Sequence, residues 1–272
     1  MRRTLPCFLL TLLLAGRSMA AAEQAEPVRH SLRTIDAHAG SWALSRDGRT
    51  LAELTADGSS PAVRLSSWEG SSWTERATVS GRLAGAGEVK VRSLVLGDDG
   101  RDLYLLCRAE KGAKVWLLHH VAGETGFDVQ SHDDLPAAVR LVAGQGSWLL
   151  AHDAEKNATG QTVFLFDLGK KAVHPVELAE KPNLANLSAG FSPAGDRLAL
   201  LFRGWGRSFG YVVDLSDGRP GKGLELDLRG LGFTQNAPPP RFTAADRFAF
   251  VAQNTILTYD GSGKLVSATS WK

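Results

Sequence analysis

The chain has 272 residues, of which 43% are hydrophobic and 22% are charged, a composition that excludes a disordered protein. Lys and Arg number 31 against 29 Asp and Glu, and removal of residues 1–22, with three arginines and no acid, leaves 28 against 29. So small a net charge provides no broad field for nucleic acid or an anionic membrane, and we expect neither as a partner.

Residues 1–22 are predicted to be a secretory signal peptide. A basic start is followed by an apolar run from Leu5 to Ala15 and then by small residues, with cleavage expected after Ala20 or Ala22. The run is shorter than the roughly 20 residues that a spanning helix needs, so we expect no transmembrane segment after signal removal. The sequence therefore predicts a periplasmic or secreted protein.

Cys107 would be the one cysteine of the mature chain, since Cys7 lies in the signal. An exported protein with one cysteine has no internal disulfide, and its stability must come from its core. Cys107 lies in an apolar stretch, which favours a small buried residue over a nucleophile.

From residue 38 onward the sequence repeats at about fifty residues. Each unit begins with a short apolar strand, a turn of small residues and a second strand led by a large apolar anchor. The turns are 45–48, 97–100, 143–146, 192–195 and 243–246, and the anchors are Leu51, Leu103, Leu149, Leu198 and Phe248. Glycine and aspartate in such turns favour hairpins, because they tolerate positive φ.

Two further strands are predicted in each unit. Third strands are expected at 62–65, 115–118, 163–168, 211–215 and 256–260, and weaker fourth strands at 75–79, 127–131, 173–178, 224–228 and 265–270. Four short strands per unit at this spacing predict an all-β protein, a single β-propeller with five four-stranded blades over residues 38–272. The extended segment 23–37 could add a closing strand to the last blade or start a sixth blade.

The fourth unit carries a family resemblance. Residues 191–199 read Phe-Ser-Pro-Ala-Gly-Asp-Arg-Leu-Ala, and residues 211–218 read Tyr-Val-Val-Asp-Leu-Ser-Asp-Gly. This pattern resembles the repeat of TolB-like and WD-repeat-like bacterial propellers, with Ala194 in a place where Asp is usual. The resemblance covers about residues 38–272. It implies the propeller fold and, by analogy with TolB-like proteins, a role in binding a partner.

The stretch Arg203-Gly204-Trp205-Gly206-Arg207 is the predicted partner-binding loop. Trp and Arg dominate binding hot spots, and Trp205 between two glycines and two arginines can form cation–π contacts. The alternative is that Trp205 folds over its own blade as an apolar lid. Residues 206–210 also match Gly-x-Ser-x-Gly, but a strand follows instead of a helix, so we interpret the match as a turn.

A metal site is a second hypothesis. His132, Asp133 and Asp134 precede the first strand of the third unit, and His152 and Asp153 begin the loop that joins its second and third strands. In a propeller these two positions lie on one face, so imidazole and carboxylate ligands could meet there. The alternative is a solvated polar rim. No phosphate-binding glycine loop or nucleotide fingerprint is present, and no cofactor is expected.

The sequence thus predicts an exported binding or scaffold module, a monomer or part of a hetero-complex, that docks a protein or cell-envelope partner through one loop face. The alternative is a propeller enzyme, glycosidase-like or lyase-like, that acts on a sugar or small molecule in the central channel. No catalytic residue is assigned, because the acids lie mainly in turns, where Asp has a local backbone role. Convergent carboxylates in the channel would favour the enzyme.

Overall fold

The structure is a computed structural model. It describes residues 42–84, 88–111, 114–133, 135, 139–153, 162–178, 187–203, 208–228, 238–244 and 246–271, all within the unit Ala37–Lys272. The predicted signal peptide and the segment 23–37 lie outside the described residues. Across the described ranges, the chain forms twenty β-strands and no helix, hence no helix with the length and hydropathy to cross a membrane.

The strands form five antiparallel sheets, which we call blades I to V. Blade I contains β1 Trp42–Leu44, β2 Thr50–Ala56, β3 Ala62–Trp68 and β4 Trp73–Ser80; blade II contains β5 Val89–Leu96, β6 Asp102–Ala109, β7 Val115–Val121 and β8 Asp128–His132. Blade III contains β9 Val139–Gln145, β10 Trp148–Asp153, β11 Val163–Asp167 and β12 Ala172–Pro175. Blade IV contains β13 Leu187–Phe191, β14 Arg197–Arg203, β15 Ser208–Asp214 and β16 Leu224–Leu226; blade V contains β17 Arg241–Ala244, β18 Arg247–Ala252, β19 Thr255–Asp260 and β20 Leu265–Ser270.

Each blade is built from four strands that are consecutive in the chain. The first strands of successive blades, β1, β5, β9, β13 and β17, are neighbours and form the inner ring. The chain is therefore an all-β five-bladed propeller, and the predicted fold is confirmed. Blade V has its own fourth strand, so among the described residues no strand from another part of the chain completes it.

The core lies between the blades. All five anchors are buried, and four apolar clusters fill the seams I–II, II–III, III–IV and IV–V. Blades II, III and IV each contribute both faces of the sheet to these clusters, which explains why their second strands carry continuous apolar runs instead of alternating ones. Cys107 is fully buried in the I–II cluster, as predicted, and burial raises the pKa of its thiol to about 12.

The turns between the first and second strands share their chemistry. Gly48, Gly100 and Gly195 each have φ +71°, a left-handed conformation that disfavours a side chain. In the blade I turn the Ser45 hydroxyl donates to Asp47 at 2.6 Å, and the Ser192 hydroxyl donates to Asp196 at 2.6 Å in blade IV. These turns define one face of the ring, the turn face; the opposite face, where second strands end, is the loop face.

Arg46 connects three blades on the turn face. Its Nη1 contacts Asp98 Oδ2 of the blade II turn at 2.6 Å, and its Nη2 donates to the Pro240 carbonyl oxygen, just before blade V, at 3.3 Å. The ring is thus closed here by side-chain contacts between blades I, II and V.

Several third and fourth strands differ in their limits from the prediction: β3 and β7 each extend three residues further, and β16 ends two residues earlier. The third strand of blade IV begins at Ser208, three residues early, because Ser208 pairs with Arg203 and Phe209 with Phe202. Ser208 of the Gly-x-Ser-x-Gly match therefore lies in a strand instead of a turn. The fourth strand of blade III is Ala172–Pro175 and ends three residues earlier than predicted.

Candidate functional site

At the seam between blades II and III, two positions of the repeat carry side chains that differ in size from those of the other blades. The residue after the anchor is Ala52, Leu150, Ala199 or Ala249 in four blades, but Tyr104 in blade II. The first-strand residue paired with the anchor is Leu44, Leu96, Phe191 or Phe242 in four blades, but Gly144 in blade III. The large side chain of Tyr104 in blade II thus faces Gly144 of blade III, which has no side chain.

Tyr104 fills the space that Gly144 leaves. A Cβ on Gly144 would lie 2.6 Å from Cδ2 and 2.8 Å from Cζ of the Tyr104 ring, too close for any side chain. The ring is fully buried, and its hydroxyl donates to the Gly146 carbonyl oxygen at 2.7 Å. The pairing of a large tyrosine in blade II with a glycine in blade III, which we call the Tyr104–Gly144 pairing, therefore connects blade II to the turn of blade III.

A histidine–aspartate pair lies on this tyrosine. His119 of β7 stacks on the Tyr104 ring, with centroids 4.8 Å apart and planes 2° from parallel. His119 Nε2 is 2.9 Å from Asp102 Oδ1, and the Gly146 N–H donates to Asp102 Oδ2 at 3.1 Å. Both carboxylate oxygens of Asp102 are thus engaged in holding His119 and the blade III turn.

The electrostatics of Asp102 follow from these contacts. The residue is only 6% exposed, and burial by itself would raise the pKa of the carboxyl group. The hydrogen bonds from His119 and from the Gly146 N–H outweigh burial and hold the pKa of Asp102 below its usual range. The carboxylate therefore stays charged beside the imidazole.

This pair lines an open pocket of about 590 Å³ on the turn face. Asp99, Arg101 and Asp128 of blade II line it together with Ser147 of blade III, and Pro193 reaches it from the blade IV turn. Pockets of this size hold small molecules or a protruding group of a partner. Three carboxylates, with Asp102, stand against one arginine and a histidine, so the lining favours hydrogen-bond donors and positive groups.

The predicted partner-binding stretch has one described residue, Arg203, and this residue lies on the other face. Arg203 ends β14 on the loop face, and burial lowers the pKa of its guanidinium. Trp205 and Arg207 lie outside the described residues. Arg203 and the pocket are thus at opposite ends of the blades, and the sequence-based choice of Trp205 as a contact residue stays a prediction.

The described residues of the metal hypothesis lie at strand ends on the loop face. His132 ends β8 and Asp153 ends β10. His152 Nδ1 is 3.3 Å from the Asp153 carbonyl oxygen, and burial is the main reason why the pKa of each histidine is lowered. In the described part of the chain, no three His, Cys, Asp or Glu side chains are grouped so as to hold a metal. Asp133 is described but Asp134 is not, so the site stays a prediction for elemental analysis.

The inner ring has a charge of one sign. Within their described bounds the five inner strands contain no Asp or Glu. Their charged residues are Lys90, Arg92, Arg140 and Arg241. The carboxylates that a glycosidase-like channel would need are therefore absent from these strands.

Sequence reasoning missed the pocket, although a signal was available. When the five units are aligned on their anchors, the preceding residue is Thr50, Asp102, Trp148, Arg197 or Arg247, so Asp102 is the one acid among these. Blade II also has two consecutive histidines, of which His120 is buried and bonded to the Gly126 carbonyl oxygen, while His119 lines the pocket. Departures from the repeat, compared at equivalent positions, indicate the site.

No protein-family model matches the chain, and no curated protein matches it either. Among solved structures it is similar to TolB from Acinetobacter baumannii, with 14% identity, 83% of this chain and 52% of that chain covered, and a TM-score of 0.45. It is also similar to the periplasmic gluconolactonase PpgL of Pseudomonas aeruginosa, with 17% identity, 84% of this chain and 71% of that chain covered, and a TM-score of 0.44. The propeller domain of the Trilobed protease from Pyrococcus furiosus is similar too, with 12% identity, 84% of this chain and 67% of that chain covered, and a TM-score of 0.44. The chain spans about half the length of that TolB chain. By its own five four-stranded sheets, the chain is a five-bladed β-propeller.

Proposed function

We propose that the chain is an exported binding module that docks a protein or cell-envelope partner and holds a polar or positive group of that partner in the pocket between blades II and III. The observation that carries the proposal is the coincidence of an open pocket with a seam where the repeat is altered in both blades. Alterations of a structural repeat that create a polar cleft are best explained by a ligand.

A binding role fits the chemistry of the pocket. Asp102 uses both oxygens to hold His119 and the Gly146 N–H, so it orients its neighbours and has no acid–base task to perform. Asp99, Asp128 and Ser147 lie around this fixed floor and are the groups available to a ligand. A rigid polar floor with acceptors at its rim is suited to recognition.

Site-specific photocrosslinking tests the proposal. A photoreactive amino acid at Ser147, which is exposed in the pocket, is expected to capture a defined partner in intact cells. The matched control is Ala77, an exposed residue of the outer strand β4, which is expected to capture none. Asp128→Arg should abolish the crosslinked product formed from position 147, because it places a positive charge at the pocket rim, where a positive group of the partner is expected to bind. Equal products from both positions would contradict the proposal.

Export is part of the proposal, and the order of residues in segment 1–22 supports it. N-terminal sequencing of the protein from the periplasmic fraction is expected to begin at Ala21 or Glu23. Recovery of the intact Met1 form from the cytosol would contradict export.

The loop 203–207 is proposed as a second contact surface, on the evidence of its composition. Trp205→Ala is expected to weaken partner capture without altering the Ser147 crosslink site. Unchanged partner affinity in this variant would remove the loop from the proposal.

An enzyme remains the second candidate because Asp99 and Asp128 share the pocket with His119. Such an enzyme would act in the pocket and not on the inner strands, which lack carboxylates within their described bounds. Hydrolysis or elimination on a panel of aryl glycosides and uronates, lost on Asp128→Asn, would favour it. Absence of any turnover would leave the binding module as the better explanation.

A further inference from the structure

A row of three side chains crosses blade II at the pocket. Tyr104 of β6 pairs with His119 of β7, and His119 pairs in turn with Asp128 of β8. Residues that pair directly across antiparallel strands project from the same face of the sheet, with Cβ atoms about 4.5–5.5 Å apart. Tyr104 faces Gly144 of blade III, so all three side chains lie on the face that blade II turns toward blade III.

The imidazole ring of His119 has one covered face and one open face. The covered face lies on Tyr104, since the two ring planes are 2° from parallel with their centroids 4.8 Å apart. The opposite face is therefore turned toward β8, where Asp128 is the next side chain of the row. The His119 side chain is 16% exposed, and both it and Asp128 line the pocket. A flat imidazole face and a carboxylate thus border the same part of the pocket.

The protein holds this imidazole in a fixed orientation. His119 Nε2 is 2.9 Å from Asp102 Oδ1, a carboxylate oxygen that accepts its N–H. The Tyr104 ring beneath it is fully buried, and its hydroxyl donates to the Gly146 carbonyl oxygen. Because both rings are already ordered, a group that stacks on His119 loses little affinity to the ordering of side chains.

Asp128 is the carboxylate of the lining with the most capacity left for a ligand. Asp102 uses both oxygens within the protein, and Asp99 accepts the Arg101 N–H at 2.9 Å. Asp128 is exposed, and its Oδ2 has only a long contact of 3.5 Å with Gln130 Nε2. In the described part of the chain, no lysine or arginine lies at ion-pair distance from Asp128. Its charge is therefore available to a cation that enters the pocket.

We propose that the group that the partner places in the pocket is the guanidinium of an arginine, stacked on the open face of His119 and bonded to Asp128. This inference rests on the proposed function, which supplies the partner. A guanidinium is planar, so it can lie flat on an imidazole while its edge presents paired N–H donors that match a carboxylate. A lysine ammonium can meet the charge of Asp128, but it is a compact point charge with no plane to stack on the ring. A flat ring beside a free carboxylate therefore favours arginine over lysine.

Two small probes of equal charge, N-acetyl-arginine amide and N-acetyl-lysine amide, test the inference without any partner. Each is titrated into the full-length chain at constant ionic strength, and binding is followed by ligand-observed NMR. The arginine probe is expected to bind saturably and about fivefold more tightly than the lysine probe, because it alone stacks on the ring. Asp128→Asn should weaken both probes about tenfold, since it removes the charged acceptor. Glu75→Gln removes an exposed carboxylate from the outer strand β4 and should bind both probes as wild type does.

Two variants of His119 separate stacking from a merely structural role. His119→Phe keeps a flat ring over Tyr104 and should keep the preference for arginine, whereas His119→Ala should bind the two probes equally; the Tm of each variant shows whether it is folded. A preference lost in the alanine variant alone would support the inference, even where position 147 crosslinks no partner.

Equal affinities for the two probes in the wild-type chain would overturn the inference, even where position 147 does crosslink a partner. A preference that survives in His119→Ala would overturn it as well. Should His119→Ala not fold, Asp128→Asn decides, because Asp128 is exposed: an unchanged affinity for the arginine probe in this variant would overturn the inference, and a tenfold loss would support it.

Discussion

Gly144→Ala is the sharpest test of the seam between blades II and III. The structure gives Gly144 no left-handed φ, so alanine is compatible with its backbone. The new methyl group would nevertheless meet three atoms of the Tyr104 ring, two of them at 2.6 and 2.8 Å. Because the ring is fully buried and its hydroxyl is bonded to Gly146, it cannot move aside without breaking a contact.

The expected cost follows from two opposing effects. Replacing glycine by alanine at a compatible backbone position stabilises by about 0.4–1 kcal/mol through the unfolded chain. Overpacking a filled core costs about 1–3 kcal/mol. The variant should therefore be about 2 kcal/mol less stable than a Gly→Ala change made in open space, which for a domain of this size is a Tm lower by roughly 4–8 °C.

Gly126→Ala is the matched control. A Cβ at Gly126 would meet its nearest atom, the Ser80 carbonyl oxygen, at 3.9 Å, an ordinary contact. Thermal unfolding followed by circular dichroism compares the two variants. The double variant Tyr104→Leu/Gly144→Ala provides a further check, because Leu150 occupies the equivalent position in blade III. In the Tyr104→Leu background the alanine should cost less, and the coupling should be clearly different from zero.

A Gly144→Ala protein with a Tm no lower than that of Gly126→Ala would refute the Tyr104–Gly144 pairing. So would a double variant whose two effects simply add. Either result would mean that the Tyr104 ring is not held against Gly144 in solution.

Three further predictions concern other parts of the ring. The pKa of Asp102 in the folded protein lies below its ordinary value of 3.8, so its charge contributes stability that is present above pH 3.8 and is lost as the pH falls through the folded pKa. Asp102→Asn should therefore lower the Tm at neutral pH and reduce the fall of the Tm at acid pH. In a Cys7→Ser chain, Cys107 should not react with a thiol reagent at about pH 8 until the protein is unfolded, because burial keeps its thiol protonated; rapid labelling of the folded protein would contradict this. Arg46→Ala removes the contacts to Asp98 and Pro240, and hydrogen exchange should increase at the contact between blades I and V more than within blade III.

The blades were predictable because their determinants are local. Gly48 and Gly195 indicate turns within a few residues of the anchors Leu51 and Leu198, and each anchor leads a strand in the structure. In every blade the predicted third and fourth strands overlap the observed ones, since every sheet forms from consecutive segments. The first and last residues of the strands were predicted less accurately. Strand β15 begins at Ser208, for example, and this start can be located only when its pairing partner Arg203 is known.

The pocket was not predicted because its determinants are contacts between blades. Tyr104 and Gly144 are forty residues apart, and their complementarity is visible only when it is known which faces of blades II and III meet. Asp102 received no role in the sequence analysis, although its oxygens bond to a histidine and to the next blade. The sequence shows that an acid precedes the anchor Leu103, whereas the packing of one blade on the next determines the role of that acid.

The arrangement of four consecutive strands in each blade also determines how the chain can fold. Every strand pairing in the described part joins neighbours in sequence, so each sheet can assemble from short hairpins with little loss of loop entropy. The contacts of long sequence separation are confined to the seams, and the one between Arg46 and Pro240 spans 194 residues. Blades can therefore form in chain order, as in repeat proteins, while ring closure must wait for blade V. The last step of folding is then a docking of preformed sheets, and its rate should depend on Arg46 more than on any residue inside a blade.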